Sequence, residues 1–345
     1  MNAADHYPEF RSGNLKWYPQ NVISPLVPVE TGNIWFVDGD KTTGGGGRTW
    51  EDAFGESDFN GNLSALNIAA GDVIYVAGRT MAATDTDPIS YTTNLVVNVP
   101  QVSIIGVSRG RTQGGLPQLK VGATTTSPII SVRAPGVLIQ NLGINGAGGT
   151  GGGIVLDDDG GTTKAAFGAS ILGCHFKNCV GTTATDATTG GAIKLAGAPW
   201  QILIAGNRFY KNVGDILSVS TYSDFQDVVI EDNIFSGQAA NTDCNIYMVA
   251  GGAGNLGLII KDNIFPQLPN ISSGANKRYM ILTGCTGMVV GNTFGCLVTD
   301  TGTTLTFLAS TGTAAVVPTT MHMANNWGES AVTTEIGYVG RGTNT

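Results

Sequence analysis

The carboxylates are the first place to look for chemistry in this chain. Asp157, Asp158 and Asp159 follow the apolar run Ile154-Val155-Leu156 directly. Oxygen ligands on a glycine-flanked turn can hold Ca2+. Three consecutive Asp side chains alternate in direction, however, and no arginine stands near them in sequence, so a solvated turn is expected. Asp224, Asp227, Glu231 and Asp232 are a second candidate set, because glycoside hydrolysis needs a pair of carboxylates. Lys261 and Asp262 repeat the Glu231-Asp232 pattern further along the chain. A ladder of corner charges accounts for Glu231, Asp232, Lys261 and Asp262 without catalysis.

The other chemical signals dissolve in the same way. His6, His175 and His322 fall in distant parts of the chain and are not expected to converge, and His175 is expected on the surface. Cys174 and Cys179 bracket His175, but no second pair completes a zinc set. Five cysteines, Cys174, Cys179, Cys244, Cys285 and Cys296, are an odd and scattered number. They read as reduced, partly buried thiols. Gly146 to Gly151 matches G-x-G-x-x-G, but no helix follows to receive a pyrophosphate. No catalytic residue, metal site or cofactor is assigned.

Composition bounds the elements that must carry these residues. The chain has 345 residues, of which 50 are Gly, and only 13% are charged. That charge share is about half the usual one and argues against long solvated helices. The apolar share of 42% is enough to build a core, which argues against disorder. The net charge of −8 comes with no basic run, so no nucleic-acid partner is expected. No apolar run is long enough for a membrane helix. The first ten residues are polar, so no secretory leader is expected.

Residues 1–33 contain Pro8, Pro19, Pro25 and Pro28 and read as an extended arm. Trp17 and Tyr18 are its candidate docking anchors. Order is expected from Ile34 onward. Leu63, Leu66 and Ala70 lie at helical spacing, which predicts a short helix over 63–70 ended by Gly71. Beyond it the chain alternates short apolar runs with polar turns, an all-β pattern.

Those runs repeat. Ile202-Leu-Ile-Ala-Gly-Asn-Arg-Phe209, Val228-Val-Ile-Glu-Asp-Asn-Ile-Phe235, Leu258-Ile-Ile-Lys-Asp-Asn-Ile-Phe265 and Met288-Val-Val-Gly-Asn-Thr-Phe294 share an apolar run, a polar corner and Asn-x-Phe. An earlier copy ends at Phe176 and has Cys174 in the asparagine position. One register with variable spacing is the mark of a solenoid whose corner loops differ in length. Phe176, Phe209, Phe235, Phe265 and Phe294 are then expected to stack inside. Asn207, Asn233, Asn263 and Asn292 are expected to form a ladder at one bend, where asparagine tolerates a left-handed backbone.

The segment from Trp50 to Gly78, Trp-x-Asp-Ala-Phe … Leu-x-Ala-Leu-x-x-Ala-x-Gly-Asp-Val-Ile-Tyr-Val-Ala, resembles the N-terminal cap of right-handed parallel β-helix proteins of the pectate-lyase-like superfamily. The pattern is interrupted at Gly55 to Asn62. The resemblance implies an all-β, right-handed parallel β-helix over 34–300, with the 63–70 helix plugging its first coil. Residues 301–345 are expected to form a small β cap or interaction tail. The superfamily includes lyases, hydrolases, tailspikes, adhesins and inert virion components, so fold alone does not select a function.

With no converging catalytic set, the expected function is a structural component of a tailed bacteriophage virion: a capsid decoration, fibre or appendage. Such a protein would be made in the host cytoplasm and docked to other virion proteins, with the capsid shell reached through the arm. The family likeness implies a homo-oligomer, with a trimer as the model. A tailspike-like polysaccharide depolymerase or lyase and a carbohydrate-binding adhesin are the alternatives, and a glycan is a candidate ligand.

Overall fold

The computed structural model describes residues 32–79, 89–107, 115–156, 165–181, 190–197, 199–218, 225–238, 244–249, 257–266, 279–294, 308–309 and 321–328. Trp17, Tyr18, His6, Asp157 to Asp159, Asp224 and Cys296 lie outside them.

The described strands form three sheets in which every pairing is parallel, which makes the chain a parallel β-helix. Sheet A has ten strands, from Ile34–Val37 to Met321–Ala324. Sheet C has nine, from Ser90–Thr93 to Trp327–Gly328, and sheet B has nine, from Gly61–Asn62 to Leu308–Ala309. Each coil visits A, then C, then B before rising to the next coil.

Sequence period 2 sends alternate residues of each short strand inward. In sheet A the inward column passes through Ile139, Ile171, Ile204, Ile230 and Ile260, all in register and all buried. In sheet C it is the phenylalanine column. Phe176, Phe209, Phe235, Phe265 and Phe294 have successive ring-centroid separations of 5.1, 4.8, 4.5 and 4.9 Å, with interplanar angles of 15° or less. These separations match the spacing of strands in a sheet, so the rings lie nearly parallel because the backbone puts them there.

The N-terminal end is closed differently from the helix expected over 63–70. Only Leu63–Leu66 is helical, a single 3-10 turn that ends at Asn67 in the left-handed region with φ 58°. The Asp72 carboxylate explains the stop. It accepts the Ala69 N–H at 2.9 Å, so that donor leaves the helical pattern. The plug is instead the loop before it. Phe36 N–H donates to the Gly47 carbonyl, Phe54 N–H to Phe36, and Asp38 N–H to Phe54, all at 2.8–2.9 Å. These bonds satisfy the outer edge of the first strand, which would otherwise be free to pair with another chain. The Phe54 ring stacks on Trp35 at 5.5 Å, and the Arg48 guanidinium lies 3.7 Å from the Trp35 ring centroid.

At the other end, Leu308–Ala309, Met321–Ala324 and Trp327–Gly328 each add a strand to one of the three sheets. The solenoid therefore continues into the segment where a separate cap was expected. The rest of that segment lies outside the described residues.

Candidate interaction face

The bend between sheets A and C sets the geometry of everything around it. One residue per coil there has positive φ: Asn141, Gly173, Gly206, Asp232, Asp262, Gly291 and Asn325, between 53° and 71°. The next residue is the ladder position. Asn207, Asn233, Asn263 and Asn292 are therefore not the left-handed residues, as the sequence had suggested. Each follows one, and is free to turn its amide along the solenoid axis. At Gly291 a Cβ would lie 2.3 Å from Asp262 Oδ1, so the Asp262 side chain would have to swing aside to admit one.

The ladder itself is continuous. Asn207 donates its backbone N–H and its Nδ2 to Asn233 Oδ1, and the same pair of bonds runs from Asn233 to Asn263, Asn263 to Asn292 and Asn292 to Asn326, all at 2.9–3.0 Å. Each of these amides also donates to a carbonyl of the coil before it, as Asn233 does to Ile204 at 2.9 Å. Cys174 opens the series by donating its N–H to Asn207 Oδ1 at 2.9 Å. Asn326 was missed in the sequence because Trp327-Gly328 follows it in place of x-Phe.

A second buried polar group had no sequence reading at all. Asp215 is fully buried, with Asn212 Nδ2 2.9 Å from Oδ1 and Asn245 Nδ2 2.8 Å from Oδ2. Asn212 Oδ1 in turn accepts the Cys179 N–H at 2.9 Å. Asp215 and Asn245 each stand one residue before an inward isoleucine of sheet B, Ile216 and Ile246, and that shared position was the available signal.

Among the described residues, the candidate catalytic acids do not assemble into a groove. Asp227, with φ 52°, lies just before the sheet A strand Val229–Glu231, at the opposite corner from Glu231, Asp232, Lys261 and Asp262. Glu231 is tied to Lys261 across adjacent rungs at 2.7 Å. The Asp232 carboxyl is raised above its ordinary value by partial burial, then by the charges of Glu231 and Asp262. His175 is buried, not on the surface as expected, although the strand turns it away from the phenylalanine core. The described thiols, Cys174, Cys179, Cys244 and Cys285, are buried and form no disulfide with one another. Among the described residues no group of three metal-ligating side chains gathers.

What the fold does assemble is a face. Outward positions of sheet A form two columns in register. One runs Leu138, Ser170, Leu203, Val229, Ile259, Met288; the other runs Gln140, Leu172, Ala205, Glu231, Lys261, Val290. Eight of these twelve are apolar, on the side of the sheet that faces away from the core. Leu203, Ala205, Val229, Ile259 and Val290 are half-buried, and Met288 is 39% exposed. The two charges on the face, Glu231 and Lys261, neutralise one another. Contiguous apolar surface of this kind marks an interaction site more often than chance placement of single side chains does.

A scan against protein-family models, a search of curated proteins and a search of solved structures each found no match to this chain.

Proposed function

We propose that this protein is a non-enzymatic structural component of a tailed bacteriophage particle, a decoration, fibre or appendage, in which copies pack together through the outer face of sheet A. The observation that carries this reading is the apolar double column between Leu138 and Val290. Its rungs are spaced ~4.8 Å apart, so the half-exposed part forms a flat apolar strip a few rungs long, suited to the centre of an interface with a polar rim. A second copy is the occupant that the charges favour. The chain carries −8 overall, but this face carries its charges as an internal pair, so two such faces meet without opposing like charges. The internal asparagine and phenylalanine ladders suit a rod that must hold its shape.

The test is composition of the particle. Phage particles from a host carrying the gene are purified by density gradient and analysed by quantitative mass spectrometry. The protein is expected at a fixed copy number that survives high-salt washing. Its absence from intact particles overturns the reading.

A further inference from the structure

The accessible part of the sheet A face has an order of its own. Over four successive rungs its two outward columns read Leu203 and Ala205, Val229 and Glu231, Ile259 and Lys261, Met288 and Val290. All eight residues are half-buried or exposed. Both charges stand in the second column and on the two middle rungs, the acid on one and the base on the next. They are joined at 2.7 Å, and the Lys261 side chain is still 43% exposed, so its ammonium is open to a second acceptor.

That order decides how the face can meet a copy of itself. A patch that packs on its own copy is related to it by a two-fold axis in the plane of contact. An axis along the strands, midway between the Val229 and Ile259 rungs, reverses the rungs and keeps the columns. Val229 then faces the partner's Ile259, Leu203 the partner's Met288, Ala205 the partner's Val290, and Glu231 the partner's Lys261. Apolar meets apolar and acid meets base at every position. An axis along the solenoid keeps the rungs and exchanges the columns. Val229 then faces the partner's Glu231, and Ile259 the partner's Lys261, so that both charges are desolvated against aliphatic groups. Moving the first axis by half a rung, ~2.4 Å, sets Glu231 on its own copy or Lys261 on its own copy. Both results oppose like charges.

We propose that two copies pack with their solenoid axes antiparallel, about a two-fold axis between the Val229 and Ile259 rungs. This rests on the reading that copies meet through sheet A, and adds the orientation and the register. At its centre the two Glu231–Lys261 pairs close into a ring of four charges of alternating sign. Each charge keeps its intramolecular partner and gains one from the other copy. Asp232 and Asp262 are exposed at the bend just beyond this column and stay at the rim.

The test is a charge exchange on the full chain. Sedimentation velocity is run on the native protein, on Glu231→Lys, and on Glu231→Lys combined with Lys261→Glu. The native protein and the double variant are each expected to form dimers. Glu231→Lys alone is expected to dimerise at least tenfold more weakly with an unchanged melting temperature. The double variant is then labelled with nitrogen-15, mixed in equal amount with native protein, and the dimers are weighed by native mass spectrometry. Antiparallel packing sets Glu231 of the native chain against a glutamate in the mixed dimer, so mixed dimers are expected well below the half that random pairing gives. Mixed dimers at half or more, a trimer, or a folded Glu231→Lys that dimerises as tightly as the native chain overturns the antiparallel register and leaves self-association through sheet A standing. A native chain that stays monomeric overturns that self-association, and the register with it.

Discussion

Asn207 gives both its backbone and its side-chain N–H to the single oxygen Oδ1 of Asn233, at 2.9 and 3.0 Å, one coil along the solenoid. This shared acceptor is the unit from which the whole bend is built. It satisfies a buried backbone donor and aligns the next amide at the same time, so each rung holds the next in register.

Replacing one member should therefore leave orphaned groups on both sides. Asn233→Ala removes the acceptor for two Asn207 donors and the donors to Ile204 and Asn263. Buried groups left without partners cost ~1–3 kcal/mol each, so a loss of about 2–4 kcal/mol is expected in equilibrium urea denaturation. Substitution of the exposed neighbour Asp232 by Gly, which accepts the same positive φ, should cost far less.

Among the described residues, one buried hydroxyl gains nothing from its position. Ser218 points inward in sheet B between Leu195 and Met248, is fully buried, and its Oγ has no hydrogen-bond partner. Ser218→Ala should stabilise the protein by ~1 kcal/mol, since it removes a desolvated polar group and leaves the backbone untouched. The readout is the midpoint of thermal unfolding, which should rise.

Acid should loosen the N-terminal end through Asp72. Burial raises this carboxyl, but the N–H groups of Ala69, Trp35 and Asn33 outweigh that effect and hold it below its ordinary value of 3.8. A carboxyl depressed in the folded state contributes stability above its unfolded pKa and loses it as pH falls through the folded one. The melting temperature should fall as pH drops below about 4. In Asp72→Asn, already less stable at neutral pH, that acid limb should be shallower.

Alkali should act through the thiols. Burial pushes Cys174, Cys179 and Cys285 up to about 12 from an ordinary 9. The folded state therefore holds these protons through a window in which the unfolded chain releases them, and stability should decline as pH rises from about 9 towards 12. At pH 8 these three thiols should react with a thiol reagent at least a hundredfold more slowly than in the urea-unfolded chain.

The phenylalanine column was legible because its residue type repeats as well as its position. The left-handed corner was not, because Asn141, Gly173, Gly206, Asp232 and Asp262 share only a tolerance for positive φ. The apolar face was half legible. Runs such as Val228-Val229-Ile230 announce a strand, but an unbroken apolar run does not say that Val229 faces outward while Ile230 faces the core. The helix over 63–70 failed because its spacing was right locally while Asp72, a few residues on, claimed its backbone donor.

Sedimentation velocity on the full chain and on Leu203→Lys with Ile259→Lys tests the central claim most directly. Both side chains are half-exposed at the centre of the sheet A face, so the substitutions add charge without opening the core. The native protein should sediment as a discrete oligomer at micromolar concentration and the variant as a monomer with an unchanged melting temperature. A native protein that stays monomeric at high concentration, or a folded variant that assembles as well as the native chain, would contradict self-assembly through this face.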